Sequence, residues 1–289
     1  MTRMFAFFAA ILVSAVAVSS ACTAGVSEGL RFHIDAKRSS AKVYASFTGG
    51  KSRTTNWSTD FNTSELQGLD IAQLRAGGDQ PVRFALVREA GRLDCSGSGG
   101  RLVASGACNF TPNTGFNDFL VSRGVKRPTE DEGLAMMSLN VRRDLVEALH
   151  SARYPVPGVD DLLSLTALGA DARYIDGLAQ VGYRPRDLDD LVQFKALDVT
   201  PSYIQSFVRA GYGNLPADRL VQLKALDING DYVAGFKAAG YPNLTPDQLV
   251  SLKALGVTPA YARAVRESSR EAPTAERLVE LKAIGFSPR

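Results

Sequence analysis

Residue types that could carry catalytic chemistry are sparse in this sequence. Only two histidines occur among its 289 residues, His33 and His150, and they lie in segments with different periodicities. His33 and Asp35 share one face of a predicted strand, so they could form half of an acid–base or metal site. A solvent-facing polar row explains the same spacing. Because no metal spacing, nucleophile motif or phosphate loop accompanies them, we predict no catalytic residue, no metal site and no cofactor.

One of the three cysteines bears on the compartment. Arg3 precedes an apolar run over residues 4–18, and the small residues before Cys22 complete the pattern of a secretory signal. The run is shorter than the roughly 20 apolar residues that a membrane-spanning helix needs. We therefore predict a signal peptide over residues 1–21, cleaved after residue 21 or 24, and a periplasmic or secreted protein. Ala21 also makes Cys22 a lipidation candidate, whereas Ser19 does not fit a lipoprotein signal, so both outcomes stay open.

The remaining cysteines, Cys95 and Cys108, predict a disulfide, since an even pair in an oxidising compartment is commonly bonded. We interpret the glycine-rich stretch over residues 97–100 as a hairpin turn rather than an anion-binding loop. A tight turn at residues 99–100 would place Cys95 opposite Ala104 and Cys108 out of reach. The disulfide therefore requires a broad loop with its apex near Arg101 and Leu102.

Residues 30–110 alternate between apolar and polar with period two, which is typical of half-buried antiparallel strands. Glycine-containing turns separate the alternating segments. We predict a β-rich domain over residues 25–110, built as a small antiparallel β-sandwich or a rolled sheet.

Beyond residue 110 the pattern becomes helical and repeats every 29 residues. Such a fixed interval is typical of a solenoid of stacked units. Four columns follow it: Tyr174, Tyr203, Tyr232 and Tyr261; Tyr154, Tyr183, Tyr212 and Tyr241; Leu162, Leu191, Leu220, Leu249 and Leu278; and Lys195, Lys224, Lys253 and Lys282.

The repeat unit consists of two short helices. Thr245 and Pro246 begin the first helix as N-cap and first helical residue, and Gly256 ends it in the left-handed conformation. Thr258 and Pro259 begin the second. Helices of nine to eleven residues are marginal alone, so the units must stack. We predict an α+β multidomain chain in which an α-solenoid over residues 111–289 follows the β-rich domain.

The charged columns have two interpretations. Acidic pairs such as Asp160–Asp161 and Asp189–Asp190 begin the first helices, where carboxylates complement the helix dipole. The lysine ladder, Lys195, Lys224, Lys253 and Lys282, lies in last turns, where a cation is favoured by a few tenths of a kcal/mol. The ladder could instead bind an acidic partner. We expect the tyrosines to pack between units.

The repeat motif Leu252-Lys253-Ala254-Leu255-Gly256-Val257-Thr258-Pro259 and the Ala-Gly-Tyr-x-Asn-Leu motif resemble a helical repeat of exported or membrane-attached bacterial proteins. Some of these carry it behind a BlaR-type membrane metallopeptidase. The segment Phe84 to Gly91, with the glycine-rich hairpin and Phe110-Thr111-Pro112-Asn113, resembles the β-module that precedes the repeats there. The resemblance covers roughly residues 80–289 and implies a sensory or interaction role in the envelope. The His-Glu-x-x-His zinc motif is absent, so peptidase activity is not implied.

We predict a noncatalytic extracytoplasmic module that binds an envelope protein or membrane sensor, with membrane contact only through a lipid on Cys22. Two alternatives remain. Residues 252–259 faintly resemble a DNA-binding helix-hairpin-helix, which presents backbone amides to phosphate. Pro259 removes one of these amide donors, and a net charge of +3 is too low to favour a nucleic acid partner. An envelope enzyme or inhibitor would use His33, Asp35 and Trp57 in the β-rich domain.

Overall fold

The computed structural model describes residues 29–37, 42–49 and 55–288. The predicted signal peptide, its cleavage points and the lipidation candidate Cys22 lie outside these residues. Among the helices that the structure describes, none is long and apolar enough to cross a membrane. The described chain consists of an antiparallel sheet followed by paired helices, which confirms the α+β class.

The strands of the described residues form one seven-stranded antiparallel sheet in the order β3-β2-β1-β7-β6-β5-β4. A short 3-10 turn, Thr63–Glu65, links β3 to β4, and helix α1, Ile71–Arg75, precedes β5. The strands are β1 (Arg31–Asp35), β2 (Lys42–Gly49), β3 (Thr55–Asn62), β4 (Leu66–Gln67), β5 (Gln80–Arg88), β6 (Gly91–Gly100) and β7 (Val103–Pro112).

The sheet curls on itself. Arg88 of β5 lies over the Phe61 ring of β3, 5.5 Å from its centroid, although four strands separate β5 from β3 in the sheet order. The predicted alternation is confirmed, since Phe32, Phe47 and Phe61 are buried on one face. Of the two architectures expected, the structure is a rolled single sheet.

The prediction of a hairpin turn at residues 97–100 is wrong. Strand β6 continues to Gly100, and the turn consists of Arg101 and Leu102, whose φ angles of 53° and 66° match a two-residue type I′ turn. The glycines instead allow close packing, because a Cβ on Gly97 would lie 2.1 Å from the Ser105 carbonyl oxygen.

The predicted disulfide between Cys95 and Cys108 is confirmed. The two residues lie directly opposite each other in β6 and β7, with a Cα–Cα distance of 4.0 Å. The apex falls at Arg101 and Leu102 as expected, but the expected broad loop is wrong, since positive φ at both residues closes a tight turn. The disulfide links the two strands of the hairpin, and five residue pairs lie between it and that turn.

Helices begin every 29 residues from residue 114 onward. The first helices of the units contact one another along the array and form the odd-numbered row. The second helices contact one another in the same way and form the even-numbered row. The odd-numbered row is α3 (Glu130–Leu139), α5 (Val159–Ala167), α7 (Leu188–Ala196), α9 (Ala217–Ala225), α11 (Pro246–Ala254) and α13 (Ala275–Ala283). The even-numbered row is α2 (Thr114–Ser122), α4 (Arg143–Ser151), α6 (Ala172–Gln180), α8 (Pro201–Arg209), α10 (Gly230–Ala238) and α12 (Pro259–Ser268).

Side-chain caps and left-handed residues delimit these helices. Thr245 accepts a hydrogen bond from the Gln248 amide at the start of α11, and Gly256 follows that helix with φ 65°. The predicted punctuation is therefore confirmed. Where the column after the odd-numbered helices lacks glycine, Asn140, Asp198 and Asp227 adopt the same left-handed conformation, which Asn and Asp tolerate better than other residues.

Candidate binding surface on the helical repeats

The β5–β6 turn joins the sheet to the repeats. Arg88 Nη1 donates to the carbonyl oxygens of Met137 (2.8 Å) and Ser138 (2.7 Å), at the C-terminal end of α3. Glu89 accepts a 2.9 Å hydrogen bond from the Arg143 amide, the first residue of α4. A cation thus lies at one helix C-terminus and an anion at one N-terminus, as the helix dipoles favour.

Burial lowers the pKa of Arg88, against an opposing contribution from Glu65. The guanidinium group stays stacked on the Trp57 and Phe61 rings. A groove of about 450 Å³ beside Arg88 is lined by residues of both parts, including Glu65, Asn140 and Arg142.

The structure does not bring His33, Asp35 and Trp57 together. Trp57 stacks on Phe47 on the interior face of the sheet, whereas His33 is exposed on the opposite face. Asp35 accepts a hydrogen bond from the Lys37 amide. His150 lies at the exposed end of α4. Within the described residues, no group of three or more His, Cys, Asp or Glu residues could hold a metal ion.

The tyrosines at the start of the even-numbered helices connect consecutive units. Each hydroxyl group donates to a carbonyl oxygen 25 residues further along the chain. The hydrogen bonds are Tyr174 to Val199 (2.8 Å), Tyr203 to Ile228 (2.7 Å), Tyr232 to Val257 (2.9 Å) and Tyr261 to Phe286 (3.0 Å). Because burial disfavours the charged phenolate, the pKa of Tyr232 rises to about 12.

The second tyrosine column also spans units. Tyr183 donates to the Leu215 carbonyl oxygen (3.1 Å), and Tyr212 donates to the equivalent oxygen of Leu244. Tyr241 breaks the pattern, since its buried hydroxyl group has no hydrogen-bond partner among the described residues. The next even-numbered helix, α12, ends at Ser268, and its C-cap Ser269 has φ −105° and is followed by no left-handed residue, so the connection to α13 follows a different path.

The lysine ladder covers the first tyrosine column. Lys195, Lys224, Lys253 and Lys282 place their ammonium groups 4.6, 5.0, 5.2 and 4.8 Å from the ring centroids of Tyr174, Tyr203, Tyr232 and Tyr261. Such cation–π contacts stabilise by about 0.5–1 kcal/mol at exposed sites. Lys253 also donates to the Asp227 carbonyl oxygen at the C-terminal end of the preceding odd-numbered helix.

These contacts leave little of the ladder free. The side chains of Lys224 and Lys253 retain only 27% and 30% exposure. Each of these two lysines also lies within 4 Å of an aspartate on the preceding unit, Asp198 and Asp227 respectively. The structure therefore assigns the ladder inter-unit contacts that the sequence did not indicate.

An exposed apolar column runs along the same end of the odd-numbered helices. It follows the 29-residue interval and consists of Leu139, Leu168, Leu197, Leu255 and Ile284, whereas Leu226, at the equivalent position after α9, is half-buried against the core. Leu139, Leu168, Leu197, Leu255 and Ile284 are 39, 39, 36, 42 and 76% exposed. This leucine column follows the interval that revealed the tyrosines, so the sequence contained its signal, but only the structure shows that it faces solvent.

An acidic column lies at the other end of the odd-numbered helices. Its members occupy first turns and are exposed: Asp131, Asp160, Asp189, Asp218, Asp247 and Glu276. Asp161 lies in the first turn of α5, as expected, and it also caps that helix by accepting from the Gly158 amide at 2.8 Å. Between α11 and α13 a groove of about 390 Å³ has Val279 and Ala275 among its lining and Asp247, Glu276 and Glu280 around them.

No protein-family model matches the sequence, and comparisons with curated proteins and with solved structures found no match. The geometry of the repeats and of their exposed surfaces is therefore the basis for a functional assignment.

Proposed function

We propose that this protein is a noncatalytic, extracytoplasmic protein-binding or sensing module of the bacterial cell envelope. The observation that carries the proposal is the leucine column, a stripe of apolar side chains that is exposed at the C-terminal ends of five of the six odd-numbered helices. Contiguous exposed apolar surface on a soluble fold marks sites of association. Stacked repeats use such extended surfaces to bind proteins or other long ligands.

The compartment belongs to the proposal. The signal-like N-terminal segment and the resemblance to repeats of envelope proteins favour export, with the mature chain periplasmic, secreted or attached through Cys22. The Cys95–Cys108 disulfide supports an oxidising compartment, because such bonds are rare in the cytosol. The partner in this proposal is an envelope protein or membrane sensor, and the exposed acidic column favours a protein over a nucleic acid, whose phosphates it would repel.

The proposal is tested by crosslinking in cells that express the mature protein, with separate recovery from periplasm and membranes. Wild type is compared with a Leu168→Ser/Leu197→Ser/Leu255→Ser variant, which removes apolar surface without touching the buried core. We expect an envelope protein to be recovered with wild type and to be lost with this variant.

The matched control is Val121→Ser/Val208→Ser, which removes two valines of 44% exposure from the even-numbered row. Circular dichroism and urea unfolding establish that both variants fold. Recovery of the same partner by all three proteins would contradict binding through the leucine column, and recovery of nucleic acid alone would contradict the proposed function.

A further inference from the structure

Neighbouring odd-numbered helices meet through a repeated side-chain contact at their N-terminal ends. Arg219 Nη1 lies 2.6 Å from Asp247 Oδ1, and Gln248 Nε2 donates to Glu276 Oε1 at 2.8 Å. In both contacts the partners are 28 residues apart. The second partner of each contact is a member of the acidic column. The first partner is the residue directly after the acidic-column member of the preceding unit. The junctions α9/α11 and α11/α13 therefore pair a carboxylate with a donor.

The three earlier junctions have a carboxylate at both positions. The equivalent pairs are Glu132 and Asp160, Asp161 and Asp189, and Asp190 and Asp218. Among the described residues, no cationic side chain forms an ion pair with Asp160, Asp189, Asp190 or Asp218. Asp190 and Asp218 both contribute to the raised pKa of Tyr183, after the larger effect of burial, which is consistent with their proximity. The repeat thus places like charges where later units have complementary groups.

The leucine column runs parallel to these carboxylates. In each unit the two columns are eight residues apart, for example Asp189 in α7 and its C-cap Leu197, so they lie about 80° apart around the helix axis and about 12 Å apart along it. An α-helix with its side chains is about 10–12 Å wide. A helix lying across the row would therefore contact apolar groups along one side and carboxylates along the other.

The spacing along the array also fits such a helix. Packed neighbouring helices lie about 8–10 Å apart, and residues separated by one heptad on a helix rise about 10.5 Å. One heptad would thus cross one unit, with an apolar residue over the leucine column and a cation near each carboxylate pair. The groove between α11 and α13 has an apolar lining and an acidic rim, which is the chemistry that such a helix would require of this face.

We infer that the odd-numbered row binds a cationic amphipathic helix. The Lys or Arg side chains of this helix supply the positive charge at the α3/α5, α5/α7 and α7/α9 junctions, as Arg219 does at the α9/α11 junction. The inference rests on the proposed function and names the chemistry of its partner. A second copy of the chain would oppose two acidic columns, and an anionic lipid surface would be repelled, so both fit this face less well.

Fluorescence anisotropy with the full mature chain tests the inference directly. The probe is a labelled three-heptad peptide with Leu at the apolar positions and Lys at the flanking positions, and the matched peptide carries Glu in place of Lys. We expect binding of the Lys peptide to weaken as salt rises and the Glu peptide to bind at least about tenfold more weakly.

The decisive variant is Asp161→Arg/Asp190→Arg. It introduces arginine at the two positions that are equivalent to Arg219 in the preceding units. We expect the Lys peptide to bind this variant at least about tenfold more weakly, and urea unfolding checks that the chain stays folded after losing the Asp161–Gly158 capping hydrogen bond. Asp176→Arg/Glu267→Arg, at exposed positions of the even-numbered row, makes the same change in net charge and should bind as wild type does.

Unchanged binding of the Lys peptide to Asp161→Arg/Asp190→Arg would overturn the inference. Binding of both peptides with equal affinity, lost in Leu168→Ser/Leu197→Ser/Leu255→Ser, would overturn it while leaving the proposed function intact. Binding of neither peptide, together with sedimentation as a dimer that the leucine variant abolishes, would identify a second copy as the occupant. Failure of the crosslinking experiment as well would remove the proposed function itself.

Discussion

At the scale of single residues, one tyrosine hydroxyl group per unit connects neighbouring repeats. Tyr203 donates to Ile228, its ring lies under the Lys224 ammonium group, and it packs edge-on against Phe207 at 5.1 Å. Each of these contacts ties helix α8 to its own core or to the next unit. The same residue type recurs because the same carbonyl oxygen needs a partner in each unit.

Tyr203→Phe removes the hydroxyl group and keeps the ring. Since the Ile228 carbonyl oxygen then loses its donor, we expect the free energy of unfolding to fall by about 1 kcal/mol. Urea unfolding followed by circular dichroism measures the change. Tyr241→Phe is the matched control, because the Tyr241 hydroxyl group has no partner to lose. Equal losses in the two variants would show that the hydrogen bond does not stabilise the junction.

At the scale of the elements, short helices depend on how they end. Left-handed residues follow the odd-numbered helices in every unit, and Gly124, Arg153, Gly182, Gly211 and Gly240 do so after five of the even-numbered helices. The left-handed residue reverses the direction of the chain directly after the helix. Four residues then connect α7 to α8, and seven connect α8 to α9.

Gly182→Ala tests this role of the helix ends. Gly182 has φ 69° and open space around its Cα, so an added Cβ would meet no neighbour and only the left-handed backbone would be penalised. We expect a loss of about 1 kcal/mol in the free energy of unfolding, measured by urea unfolding. Gly213→Ala, with equally open space and no positive φ, should be neutral or slightly stabilising. A neutral Gly182→Ala would contradict the argument.

At the scale of the whole molecule, the sheet and the repeats share one buried cluster. Apolar residues extend without interruption from Phe32 in the sheet through Met136 and Met137 of α3 to Leu278 of α13. Arg88 and Glu89 connect the two parts at their polar boundary. The sheet therefore serves as a cap for one end of the array, where an unprotected unit would expose its apolar face.

Arg88→Met keeps an unbranched, largely apolar stem and removes the guanidinium donors. Because two carbonyl oxygens at the end of α3 lose a cationic donor, we expect about 1.5–3 kcal/mol lower stability. Hydrogen exchange should show the largest loss of protection in α3 and β5. Arg92→Met, at an exposed ion pair with Asp94, should leave stability almost unchanged, because solvent screens such a pair. Uniform loss of protection throughout the array would contradict a local role for Arg88.

Several elements were predictable because they depend on local rules. Thr245, Pro246 and Gly256 mark helix boundaries through their own backbone preferences, and the alternation around Phe32 follows from one buried face. The position of the turn at Arg101 and Leu102 followed from the predicted disulfide, but its tight two-residue form was not predictable from local rules. Two neighbouring non-glycine residues adopt positive φ there, because strand register and the pairing of Cys95 with Cys108 outweigh local preference.

The 29-residue interval in the chain is sufficient to establish the repeat, its helix boundaries and its buried leucines, because each depends on spacing and on backbone preference within one unit. The tertiary structure alone decided which repeated residues remain exposed. Lys253 and Leu255 are two residues apart in the same unit, yet the lysine covers a tyrosine and the leucine lies in the exposed column. Stacking of one unit on the next determines that difference, since a side chain's solvent exposure depends on the neighbour placed against it.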